Sequence, residues 1–424
     1  MEYISLHDPI QNYSFKEVVQ QSIAPDGSLF VPKTIPQFDL AFLARQHSFH
    51  LQESAYAFLS SFVGDDLDET QLRDVIRHTF QFEFPINQLS ESGIYVEELF
   101  HGPTHAFKDV GARFLAGCLK QWNQERELIT VLVATSGDTG GAVANAFYDI
   151  EGIRVVVLYP KGKISAFQEQ QIAALGKNIK AIAVNGNFDD CQQLVKQAFF
   201  DKSLSNNIYL TSANSINVGR WLPQMMFYAA AWHHMQKNNL EKTIVVPSGN
   251  YGNVSAGLLF HSLGFQFDHI IAAHNENDTI PRYLNSHQYQ PHSTIATYAN
   301  AMDVSDPSNF VRFDYLWKKE NEKSFHFSAA SVSNNDILAA IKNCWEKHHY
   351  LLDPHTATAF HILQNKDQDG TILATAHPYK FKDVIIKALG FYPEKWKLEE
   401  KEKKVFPIEM DVDIENLKAF LLQP

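Results

Sequence analysis

Short runs of β-branched and apolar residues at 128–134, 154–159, 179–184, 243–246, 269–273 and 371–374 alternate along the chain with stretches of helical periodicity. A strand that is apolar along its whole length has no face to offer water, so it must lie in a sheet covered on both sides. Parallel pairing, with the intervening helices as covers, meets that condition and predicts an α/β core over residues 96–385. Helices at 140–148, 188–200 and 222–236 fill the intervals. Before the core, residues 1–95 show helical patterns at 15–19, 41–45, 53–62 and 69–78, separated by loop signals at 24–27 and 32–36. They predict a mostly helical N-terminal domain. After it, residues 386–424 carry Lys-Glu clusters at 395–404 and a short apolar segment at 417–422. They predict a charged extension that packs on the core.

With 424 residues, 45% of them apolar, the chain can bury a large core and divide into two or three domains. A net charge of -12 without a basic block argues against nucleic acid and acidic membrane surfaces as partners. An anionic substrate must then be held by a local cationic site. Cys118, Cys191 and Cys344 are too few and too scattered for a disulfide framework or a zinc site. The pairs His233-His234 and His348-His349 lack metal-ligand spacing, so no metal is expected. The first residues do not read as a secretory signal and no apolar run approaches a membrane span, which makes cytoplasmic the expected location.

Two strand-to-helix junctions are rich in glycine, the places where open α/β sheets put ligands. Ala134-Thr135-Ser136-Gly137-Asp138-Thr139-Gly140-Gly141 offers hydroxyls and free amides at a helix start, which suits a carboxylate and equally suits ordinary capping. Val246-Pro247-Ser248-Gly249-Asn250-Tyr251-Gly252-Asn253 lets the backbone wrap a phosphate, though it has neither the P-loop ending nor the dinucleotide glycine spacing. Between them, Ser212 to Arg220 is dense in short polar side chains and ends in a guanidinium able to grip an anion bidentately.

The stretch Leu99 to Phe114 sets Lys108 just after a Gly-Pro-Thr turn, in the first turn of a helix. The helix macrodipole disfavours an ammonium there and lowers its pKa toward the amine that Schiff-base chemistry requires. A solvated lysine is the plainer reading of those residues alone.

Taken together, His101-Gly102-Pro103-Thr104, Phe107-Lys108-Asp109, Thr135 to Gly140, Ser212 to Asn217, Ser248 to Gly252 and Thr375-Ala376-His377-Pro378 closely resemble the threonine synthase family. Asn300 to Val304 and Asp353 to Ala357 extend the likeness nearly from end to end. The resemblance implies a fold-type-II, pyridoxal-phosphate-dependent enzyme with two open, mainly parallel α/β lobes. It implies conversion of O-phosphohomoserine and water to threonine and phosphate, by a monomer or homodimer. Carried onto this chain, Lys108 would bind the cofactor as a Schiff base and shuttle protons. Gly249, Asn250, Tyr251, Gly252 and Asn253 would hold the cofactor phosphate, and Thr375 would face the pyridine nitrogen. Ser136, Gly137, Asp138 and Thr139 would take the substrate carboxylate, and Thr104, Ser215, Asn217 and Arg220 the substrate phosphate. The chain departs from the family at two places: Asn253 stands where an aspartate is usual, and His105 where a leucine is common. Two other readings stay open: a dehydratase or phospho-lyase that releases a keto acid, and a catalytically silent binding protein.

Overall fold

All of the apolar runs form strands in the computed structural model, which describes residues 1–123, 128–321, 326–399 and 404–423. Part of the expected charged run, residues 400–403, lies outside the described residues. In chain order the strands are β1 (Tyr3–Ser5), β2 (Phe30–Pro32), β3 (Ile86–Gln88), β4 (Ile94–Glu98), β5 (Ile129–Ala134), β6 (Ile153–Pro160), β7 (Ile179–Val184), β8 (Tyr209–Ser212), β9 (Thr243–Pro247), β10 (His269–His274), β11 (Phe327–Ser331), β12 (Gly370–Ala374) and β13 (Ile408–Met410).

Two open sheets result. One runs β13-β7-β6-β5-β8 and is parallel throughout. The other runs β11-β10-β9-β12-β4-β3 and is parallel except for β3 at its edge. Strands β5, β9, β10 and β12 are buried along their whole length, as their unbroken apolar sequences require.

The N-terminal helices follow their apolar periodicity: Phe15–Gln21, Leu51–Val63 and Glu69–Thr79. Ser14 with Glu17, and Asp68 with Gln71, close the first and last of these with reciprocal side-chain and backbone hydrogen bonds. Helix Glu69–Thr79 packs closely on helix Lys108–Trp122, because a Cβ at Gly117 would stand only 2.9 Å from Val75 Cγ1. Arg113 Nε strengthens the contact by donating to His78 O at 2.9 Å. The expected domain edge at 95 falls inside β4, which pairs with β12 in the larger sheet. Glu97 and Glu98 disguise this strand in the sequence.

At the other end, β13 adds to the edge of β7, and helix Ile414–Leu421 buries Leu417 and Leu421 against Cys191 and Leu194. Among the described residues no helix is long and apolar enough to cross a membrane.

Candidate active site

The segments that leave the carboxyl ends of β5, β8, β9 and β12 converge on one pocket, where open parallel sheets place their ligands. Lys108 lines it as the first residue of helix Lys108–Trp122. The residues before it are stitched to the exit of β12. Ala106 and Ala376 form an antiparallel bridge, Phe107 N donates to Thr375 O at 2.9 Å, and His377 N donates to His105 O at 3.0 Å. His105 takes a left-handed backbone conformation, φ 58°, to make the turn. The Lys108 amine makes no hydrogen bond among the described residues. Enclosure pushes its pKa down to about 8, with Lys380 and Arg220 lowering it further and Asp138 opposing them. Burial, rather than the helix dipole invoked from sequence, is the main cause.

Opposite stands the turn between β9 and helix Gly252–Ser262. Ser248 N is tied to Ala273 O at 2.8 Å, but the amides of residues 249–253 find no acceptor among the described residues. Tyr251 reverses the chain at φ 61° and anchors the turn through its hydroxyl, 2.8 Å from His274 Nε2. Gly249 is obligatory for space, since a Cβ there would lie 2.7 Å from Met302 Cα. Asn253 accepts from the Tyr228 hydroxyl at 3.0 Å and leaves Nδ2 buried without a partner. A row of unspent amides at a helix start, with an unspent side-chain amide beside it, is a cradle for an anion.

The turn after β5 supplies Ser136, Asp138 and Thr139 to the pocket. Thr135 Oγ1 accepts from Gly137 N and Gly140 N, which sets the turn's shape. The amides of Asp138 and Thr139 have no acceptor among the described residues. Gly137 is not among the residues that line the pocket; its φ of 130° shapes the turn instead. The Asp138 carboxylate is held through Oδ1, which pairs with Lys380 Nζ at 2.8 Å and accepts from Gln168 Nε2 at 2.9 Å.

Ser215 and Arg220 line the pocket, whereas Thr104 and Asn217 do not. Thr104 is turned inward, its N and Oγ1 donating to the two oxygens of Asp109 at 2.9 and 2.6 Å. Asn217 is fully buried: Nδ2 donates to Val19 O, Ser22 Oγ and Ser212 O, while Oδ1 accepts from Gly219 N. Both expected phosphate ligands are scaffold here. Ser215 Oγ accepts from Asn250 Nδ2 at 2.8 Å and Asn309 Nδ2 at 2.9 Å, so its own proton is left to donate. Arg220 gives Nη1 to Ala213 O and keeps Nε buried and unpartnered. Burial pushes its pKa down to about 10, Asp109 pulling the other way.

Thr375 ends β12 at the pocket, its hydroxyl without a partner among the described residues. Sequence reasoning missed Gln192, which enters from helix Phe188–Phe200, and the wall formed by Ala301, Met302 and His355. His355 is held at both ring nitrogens, Nδ1 lying 2.7 Å from Asp353 Oδ1 and Nε2 accepting from Ala301 N at 3.1 Å. The stretches Asn300 to Val304 and Asp353 to Ala357 carried that signal as motifs without an assigned task.

The family described as pyridoxal-phosphate dependent enzyme matches residues 81–375, and that described as threonine synthase N terminus matches residues 2–80. The chain is 39% identical to the threonine synthase of Buchnera aphidicola subsp. Schizaphis graminum over 430 residues, covering 100% of each chain. The crystal structure of threonine synthase from Escherichia coli superposes with a TM-score of 0.92 at 37% identity, covering 100% of this chain and 99% of that one. The pyridoxal-phosphate-bound threonine synthase from Brucella melitensis superposes with a TM-score of 0.89 at 29% identity, with the same coverage.

Proposed function

The chain belongs to the threonine synthase family of pyridoxal-phosphate-dependent enzymes, and from that premise we propose that it converts O-phosphohomoserine and water to threonine and phosphate, the last step of threonine biosynthesis. The observation that carries this reading is the meeting, in one pocket, of an unpaired lysine amine, a row of unspent amides and the free hydroxyl of Thr375.

The residues fit the cofactor. The amides of Gly249, Asn250, Tyr251, Gly252 and Asn253, with the orphaned Asn253 Nδ2, suit its phosphate. The family's aspartate would bring a negative charge toward that phosphate; Asn253 brings a donor instead. Lys108 is the amine for its aldehyde, and Thr375 the neighbour for its ring nitrogen. A hydroxyl cannot hold that nitrogen protonated as a carboxylate would. When bound, pyridoxal phosphate supplies an electron sink for charge developing on the substrate's Cα and Cβ.

The chain's own residues do the rest. Ser136 and Thr139 hydroxyls, with the Asp138 and Thr139 amides, orient the substrate carboxylate. Lys108 Nζ, poised near neutrality, takes the proton from Cα and is the base at hand for Cβ. Ser215 Oγ and the Arg220 guanidinium grip the substrate phosphate and stabilise charge as the Cγ–O bond breaks, before water adds at Cβ. A cytoplasmic setting belongs to the same reading, supported by three free, buried thiols.

The test is incubation with O-phosphohomoserine while threonine and phosphate are assayed together, in wild type and Lys108→Ala. Equal release of both in the wild type and a fall of about 10²–10⁴-fold in the variant are expected. A keto acid in place of threonine would overturn the proposed outcome.

A further inference from the structure

Lys380 and Asp138 form an ion pair at 2.8 Å with both side chains sealed from water. Lys380 comes five residues after Thr375, in the turn Pro378–Phe381, and Asp138 opens helix Asp138–Phe147 in the other sheet's lobe. The same ammonium donates to Thr104 O at 2.8 Å and to Gln171 Oε1 at 3.3 Å. Thr104 in turn holds Asp109, the residue after Lys108, through both carboxylate oxygens. One buried cation thus ties together the turn that leads into Lys108, the turn that faces the substrate carboxylate, and helix Ala166–Ala173.

Asp138 shares the pocket with Lys108. An unclaimed carboxylate there would pair with the Lys108 ammonium, keep it protonated and repel an anionic substrate. We propose that Lys380 is a positioning residue that pairs with the Asp138 carboxylate, weakens it as a counter-ion to Lys108 and so keeps the Lys108 amine available as a base. This deepens the reading above and rests on it. Arg220, on helix Val218–Trp221, is the other charge that acts on Lys108, and Asp109, next to it in sequence, is held by Thr104. Tyr251 and His355 also line the pocket, but they are hydrogen-bonded to His274 and to Asp353 and Ala301.

The sign is opposite for the two partners. Removing Lys380 deletes a repelling cation and frees an attracting anion, so Lys108 keeps its proton to higher pH. Removing the Asp138 charge does the reverse. The experiment measures kcat against pH for the holoenzyme and its Lys380→Met, Lys380→Arg, Asp138→Asn and Lys380→Met/Asp138→Asn variants. A second readout is the rate, followed by absorbance across the same pH range, at which the cofactor-stripped full chain recaptures pyridoxal phosphate.

In both readouts the acid limb is expected to rise by about one pH unit in Lys380→Met and to fall in Asp138→Asn. It should return toward the wild-type position in the double variant and in Lys380→Arg. A uniform loss of rate with the limb unmoved overturns the proposal and leaves Lys380 a scaffold residue. If Lys380→Met does not fold, Asp138→Asn and the double variant, neither of which buries a lone carboxylate, decide by the same criterion. A wild type that makes no threonine would sink the assigned reaction, while the recapture profiles would still judge Lys380.

Discussion

Arg220 Nε is a buried donor with nothing to bind, 2.9 Å from where a Cβ on Gly111 would stand. The bare Gly111 lets helix Lys108–Trp122 approach close enough to enclose the guanidinium, and an enclosed, unspent donor is strong toward an anion. Arg220→Ala is expected to lower kcat about 100-fold and to raise KM for O-phosphohomoserine. Steady-state kinetics with unchanged values would remove Arg220 from the site. At this scale the sequence was readable where a residue's task is local. Lys108 and the turn at 249–253 stand out at a helix start and after a strand, Thr375 only through the family resemblance, and all of them line one pocket. Thr104 stays out of the pocket because Asp109, five residues on, takes its amide and hydroxyl, and Asn217 because a tertiary contact claims it: Asn217 Nδ2 ends on Val19 O, 198 residues away. Lys380 went unnoticed for the same reason, since nothing beside it in sequence marks it as buried.

The turn that follows β9 has no room for a methyl group at Gly249. Gly249→Ala must displace the backbone of Met302 or its own, at about 1–3 kcal/mol. Titration of the stripped protein with pyridoxal phosphate should show a Kd weakened tenfold or more. Strand β4 carries the opposite kind of defect. Glu97 is fully buried, neither carboxylate oxygen has a partner among the described residues, and burial raises its pKa well above 4.5. Above that pH the unfolded chain has released the proton that the folded chain keeps, so stability falls as pH rises toward the folded value. Glu97→Leu should stabilise the protein by about 1–3 kcal/mol, and thermal unfolding at pH 5 and pH 8 should differ less than in the wild type. The same glutamate explains why β4 escaped the sequence pattern. Strand β11, Phe327–Ser331, escaped through small and polar residues, and β8 through its brevity. The fully apolar strands were legible nearly to the residue because burial on both faces leaves no alternative to an unbroken apolar run.

For the molecule as a whole, a ligand held by the folded chain alone must raise its stability, by about 2.7 kcal/mol at one hundred times Kd. Pyridoxal phosphate should therefore shift the thermal transition up by several degrees, and Lys108→Ala should forfeit much of that shift. The packing of helix Glu69–Thr79 against the helix that Lys108 begins makes the N-terminal region part of the same cooperative unit. Equal melting of far-ultraviolet and cofactor signals would confirm it; a separate early step would refute it.

The pairing of residues 105–107 with 375–377 reaches further than local shape. It joins the segment that leads from β4 to Lys108 to the exit of β12, and both strands lie in the sheet that also carries the turn after β9. The residues proposed for the substrate's carboxylate and phosphate follow β5 and β8 in the neighbouring sheet. On the proposed reading the cofactor would be held from one sheet, and the substrate's two anionic groups from the other.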